Sequence, residues 1–277
     1  MIKRIPITRG LKQIGVHYLG NVSHSMKTRL SAENGTLTYC IYLAPADMSG
    51  YNVCPMSIHC KQFCLQGSGL NKIDTMSHGV KLSTINISRV KKAKAFFENR
   101  QVFMDVLIQE IEKYRLKAKE KGLNFAVRLN GTSDLSPMMF CDERTGKNIL
   151  ELFPDVQFYD YTKVPARINL LKRFPNYDLT FSYDGHNWEI AEKFLKNGGK
   201  VAVVFRNPKE LPVSFRGYPV CDGNAYDMRF LDPKSHVVGL HFHVTANNYK
   251  LVDGKRVFVE PNTDFVVPNN SSYAVWA

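Results

Sequence analysis

Cys54, Cys60 and Cys64 bring three of the chain's six cysteines into eleven positions, in the spacing Cys-x5-Cys-x3-Cys. Three thiols on one short loop can converge on a point at small entropic cost, because each loop they close is short. Tetrahedral metal sites and iron–sulfur clusters use that convergence of soft thiolate ligands. The spacing is neither the paired-cysteine pattern of zinc fingers nor a ferredoxin run. Three unconnected thiols are the plain alternative, since buried free cysteines are common in reduced proteins.

The element that must position this loop is the apolar run Leu37-Thr-Tyr-Cys-Ile-Tyr-Leu-Ala44, rich in strand formers, and Gly67-Ser-Gly69 follows the loop as a hinge. After a polar link, helical spacing joins Ile87, Val90, Ala93, Phe96 and Phe97, and then Val102, Phe103, Val106, Leu107, Ile111 and Tyr114. Asn99 stands where a second helix would be capped, and Lys91, Lys92 and Lys94 read as a solvated face. Strands are expected at 125–130, 156–161, 177–182, 200–205 and 218–221, with helices at 148–153, 167–174 and 188–195 between them. That alternation predicts an α/β fold: a partial (β/α)6 barrel or open parallel sheet, with the cysteine loop after its first strand. Residues 1–36 read as an irregular N-terminal extension, 37–232 as the α/β domain and 233–277 as a β-rich tail packed on it, with hairpin turns such as Asp253-Gly254.

Parallel α/β proteins carry their sites on the edge where strands end in loops. That edge would collect the cysteines, then Asn130, Thr132, Ser133 and Asp134, then Lys163, Ser182 and Asp184, Arg206, and finally Cys221, Asp222 and Arg229.

Hydrophobic content of 44% and charged content of 22% fit a globular protein. No apolar stretch is long enough to span a bilayer, and the Met-Ile-Lys-Arg start lacks a signal-peptide core, so no membrane partner and a cytoplasmic setting are expected. The formal charge is +12, from 37 Lys+Arg against 25 Asp+Glu. A surplus of that size attracts phosphate-bearing partners, nucleotide or nucleic acid.

Cys54-Pro…Cys60…Cys64, Arg128-Leu-Asn-Gly-Thr-Ser-Asp134, Phe158-Tyr-Asp-Tyr-Thr-Lys163 and Cys221-Asp222-Gly223 together resemble the gene-product-eighty-eight family of phage proteins, over residues 40 to 232. The resemblance implies a phage or prophage origin, hence the host cytoplasm. It also implies the general plan of radical S-adenosylmethionine enzymes, whose commonest spacing, Cys-x3-Cys-x2-Cys, differs from the one here.

Three mechanisms follow. In the first, Cys54, Cys60 and Cys64 hold three irons of a [4Fe–4S] cluster whose fourth iron is open to S-adenosylmethionine. Asn130, Thr132, Ser133, Asp134, Ser182 and Asp184 would then position the cofactor, and Lys163, Arg206, Asp222 and Arg229 would meet substrate or phosphate. In the second, a non-catalytic nucleic-acid-binding protein holds a structural zinc, completed by Cys221 or by His59. In the third, His241 and His243, on one face of a strand, hold the divalent metal of a DNA-nicking enzyme with Tyr249 as nucleophile. Cys40 reads as core, and Cys141 has no assignment.

Overall fold

The computed structural model describes residues 3–23, 25–61, 64, 67–259 and 264–276. Eight strands frame it: β1 (Thr36–Ile41), β2 (Asn124–Arg128), β3 (Gln157–Thr162), β4 (Tyr177–Ser182), β5 (Lys200–Phe205), β6 (Tyr218–Asp222), β7 (Val237–His241) and β8 (Val266–Val267). Among the described residues eight α-helices join or precede them: α1 (Ile7–Gln13), α2 (Met26–Glu33), α3 (Gly69–His78), α4 (Thr84–Glu98), α5 (Arg100–Glu120), α6 (Ile149–Leu152), α7 (Ile168–Arg173) and α8 (Trp188–Lys196). The protein is a mixed α/β fold around one large sheet.

Within that sheet β1 to β5 are neighbours in sequence order, all parallel. Each crossover steps the same way, so a right-handed path puts their helices on one face. Accordingly α5 packs on β1 and β2, α7 on β4, and α8 on β4 and β5. Short strands at Gly20–Asn21, Ser214–Phe215 and Ala274–Val275 extend the edges antiparallel.

The last two parallel strands do not follow sequence order. β7, expected as part of a tail, pairs with β5 on one side and β6 on the other. The β6-to-β7 connection therefore steps backwards along the sheet. A right-handed crossover in that direction must cross the face opposite the helices. It does so: the turn at Arg229–Leu231 packs on β3 and β4. β8 pairs in parallel with the carboxyl end of β5, beyond the point where β4 has left it.

Residue alternation sorts the strands between the two faces. Leu37, Tyr39, Val127, Phe158, Leu179, Phe181, Val201 and Val203 face the helices and bury fully or nearly so. Phe96, Phe103 and Phe140 add an aromatic cluster beneath α4 and α5, with ring centroids 4.7 to 6.4 Å apart. Each such ring buried contributes about 1.5–3 kcal/mol.

Two stretches depart from the sequence-based expectation. Residues 1–36 contain α1, α2 and an edge strand, with Ile14, Val16, Leu19 and Val22 buried. Ser25 and Thr28 cap α2 reciprocally, a signal that its low apolar content obscured. The polar link after the cysteine loop is helical as α3; its apolar Leu70 and Ile73 face outwards, so periodicity gives no sign of it.

Candidate functional site

The cysteine loop leaves the carboxyl end of β1, where the expected polar residues also gather. Gly131 donates its amide to the Ile41 carbonyl at 2.9 Å, and Thr132 Oγ1 donates to the Leu43 carbonyl at 2.6 Å. A Cβ at Gly131 would stand 2.7 Å from that Ile41 oxygen and from the Tyr42 ring, so only glycine permits this approach. The loops after β1 and β2 are thus bound together along the rim.

Cys54 lies on the inner side of this junction. Its sulfur accepts from the Ala46 amide at 3.4 Å and lies 3.9 Å from the Thr132 carbonyl. Burial pushes the Cys54 thiol up to about 12, and charge at Cys64, Asp134 and Cys60 acts in the same direction. Cys60 and Cys64 are therefore each within electrostatic reach of Cys54, and all three are half-buried and free of disulfides. Among the described residues, however, no three His, Cys, Asp or Glu side chains are assembled into a group that could hold a metal ion. Residues 62, 63, 65 and 66, around Cys64, lie outside the described residues.

Arg89, on α4, was not singled out by sequence. Its carbonyl accepts from the Ala44 amide, its guanidinium sits 5.5 Å from the Tyr42 ring centroid, and the charge of Cys64 acts on it. One turn on, Lys92 is buried rather than solvated, 3.9 Å from the Tyr18 ring centroid, and burial lowers its pKa to about 8. The spacing Arg89–Lys92, three apart on a helix whose other basic residues are exposed, is the one signal that could have found this pair.

The residues expected to hold a cofactor are engaged with one another. Asn130 donates to the Leu135 carbonyl and to Asp160 Oδ2, each at 3.0 Å, and accepts from Ser133 Oγ and the Leu135 amide, each at 2.8 Å. Asp134 accepts from the Lys163 amide at 2.9 Å and pairs with Arg167. Lys163 Nζ donates to Ser182 Oγ at 2.9 Å, and Asp184 Oδ1 accepts from the His186 amide at 3.0 Å. These contacts hold the loops after β2, β3 and β4 in one continuous rim. Beneath them Asp160 is fully buried; desolvation raises its pKa to about 7, against hydrogen bonds from the Asn130 side chain and amide.

The cysteine loop reaches the same rim from above. The His59 and His186 rings lie 4.1 Å apart, and His186 Nε2 is 3.7 Å from Asp264 Oδ2, at the start of the segment leading into β8. Gly185, at φ +97°, leaves room for Asp264, whose backbone would sit 2.6 Å from a Cβ there. His59 is thus turned towards the β4 loop.

The remaining candidates lie elsewhere. Cys221 is on β6, six strands along the sheet from β1, and its thiol is pushed up to about 11 by burial and Asp232, against Arg229 and Lys200. Arg229 is fully buried beneath the crossover, paired with Asp232 at 3.2 Å, and not on the rim. Asp222 Oδ1 accepts from the Asn224 backbone and side chain, each at 2.7 Å, closing its own turn. The Arg206 amide donates to the Val267 carbonyl, tying β5 to β8. β7 ends at His241, whose Nδ1 is 2.8 Å from the Asn207 carbonyl, so His243 falls beyond the strand and the two share no strand face. Cys40 is core, its thiol raised to about 12 by burial.

On the face opposite the helices the sequence hides a buried ionic cluster. Arg128 pairs with Asp227 at 2.6 Å, Tyr159 OH is 3.3 Å from the same carboxylate, and Lys200 pairs with Asp178 at 2.7 Å. Arg128, alone among the apolar residues of its strand, is the visible trace of it.

The fold and rim define a mixed α/β protein with three free thiols on the loop after its first parallel strand. The chain belongs to the Gene product 88 family, whose model matches residues 16–254. No curated protein and no solved structure matches it.

Proposed function

We propose that the chain is a phage iron–sulfur enzyme of the radical S-adenosylmethionine type, acting on a nucleotide or nucleic acid. One observation carries this reading. Cys54, Cys60 and Cys64 lie on the loop that leaves the first strand of a sheet whose first five parallel strands run in sequence order, and Cys54 lies within reach of charge at both Cys60 and Cys64. Read as a partial (β/α)6 barrel, β1 to β5 followed by β7 would present all their carboxyl ends to one cofactor.

The donor set suits a cluster: three soft thiols, half-buried, with the Arg89 guanidinium within electrostatic reach of Cys64. The sulfurs must still draw together, and metal binding that completes local folding is the ordinary way a cysteine loop does so. A [4Fe–4S] cluster so held supplies one-electron reduction of a bound sulfonium cofactor. The chain's own residues hold and screen it. Asn130, Ser133 and Asp134 fix the loop against which Cys54 packs, and Lys163 and Ser182 continue the polar rim towards a substrate phosphate.

The test is turnover. Protein purified without oxygen and supplied with iron and sulfide should convert S-adenosylmethionine to methionine and 5′-deoxyadenosine when dithionite is the electron donor. Cys54→Ala, Cys60→Ala and Cys64→Ala should each abolish it. Cluster-loaded protein that leaves S-adenosylmethionine intact would overturn the proposal.

A further inference from the structure

Tyr249–Val252 and Lys255–Phe258 form an antiparallel ribbon separate from the main sheet. Asp253 and Gly254 join them with φ of 48° and 74°, the double left-handed turn that suits a two-residue hairpin. Every residue from Lys250 to Phe258 is exposed, Leu251 to 74%. A two-stranded ribbon this exposed is marginal by itself, so a covering partner is expected.

Register separates its two faces. Tyr249, Leu251, Arg256 and Phe258 share one, anchored to α3 where Lys72 Nζ lies 5.2 Å from the Tyr249 ring centroid and Arg256 donates to the Met76 carbonyl. Lys250, Val252, Lys255 and Val257 share the other, which points away from that anchor. On it each lysine stands opposite a valine, so ammonium groups and branched methyls alternate diagonally.

We propose that this second face docks double-stranded nucleic acid, with the ribbon lying in the major groove. Charge selects the partner: this face carries Lys250 and Lys255 and no acidic residue, on a chain of net charge +12. Shape agrees, since the major groove admits a two-stranded ribbon, and methyl groups between the lysines match the thymine methyls there. The inference shares a polyanionic partner with the proposed function but rests on the ribbon alone, so protein without a cluster should bind as well as cluster-loaded protein.

The experiment is fluorescence anisotropy of the full chain with a labelled duplex of about 20 base pairs, repeated over a salt series. Affinity should fall linearly on logarithmic axes, and Lys250→Ala/Lys255→Ala should flatten that slope by about 2. Lys250→Arg/Lys255→Arg should restore it, while Lys117→Ala/Lys119→Ala on α5 leaves it unchanged. Circular dichroism confirms that each variant is folded. Absence of duplex binding, an unchanged slope in the alanine variant, or tighter binding of the single strand would each overturn the proposal. So would a dimer, seen by sedimentation, that Val252→Ser dissolves.

Discussion

Glu110 shows how much one buried side chain organises. It accepts from Tyr39 OH at 2.6 Å, the Gly20 amide at 3.0 Å and the Leu19 amide at 3.4 Å, joining α5, β1 and the edge strand. Glu110→Ala leaves three buried donors unmet and should cost about 3 kcal/mol in urea unfolding; a loss below 1 kcal/mol, roughly one net hydrogen bond, would show that the network is redundant. Asp160 makes a prediction in pH. Its folded pKa, raised by burial to about 7, exceeds the ordinary value of about 4, so its contribution to stability is complete below that value and is lost as pH rises through about 7. Carboxyl carbon NMR should give a midpoint near 7, whereas one near 4 would mean that the Asn130 hydrogen bonds dominate. Both residues were hard to find in sequence. Glu110 sits on a helix face that reads as exposed charge, and Asp160 stands between two tyrosines as an ordinary strand residue would.

The parallel strands were legible in sequence because short apolar runs bounded by polar loops recur at regular intervals, and α4 and α5 because their aromatic residues fall at helical spacing. The order of β6 and β7 was not, since nothing local tells a strand which neighbour it will have. Nor was the buried crossover between them, whose charged residues Asp227, Arg229 and Asp232 look like a solvent loop. Among the loops, Gly131 is the clearest test of how the rim is built. Gly131→Ala forces a methyl group against the Ile41 carbonyl and should destabilise the fold by about 2 kcal/mol while loosening the packing of Cys54. Urea unfolding measures the first effect, and the rate of Cys54 alkylation, which should rise, measures the second. An alkylation rate equal to that of the unaltered protein would separate the cysteine from the rim.

For the whole molecule, the sequence located the thiol loop and the edge it occupies, and left open what the loop holds. Net charge points to a class of partner without saying where it would dock, and the fold holds one face of the ribbon beyond β7 against α3 while leaving the other uncovered. No described helix is long and apolar enough to cross a membrane. The central claim is that three sulfurs on one rim grip a single inorganic centre. Iron, acid-labile sulfide and zinc analysis of the full chain purified without oxygen tests it most directly. A four-iron cluster predicts brown protein with roughly four irons and four sulfides per chain, falling towards zero in Cys54→Ala/Cys60→Ala/Cys64→Ala. Colourless protein, free of metal or carrying one zinc, would contradict it.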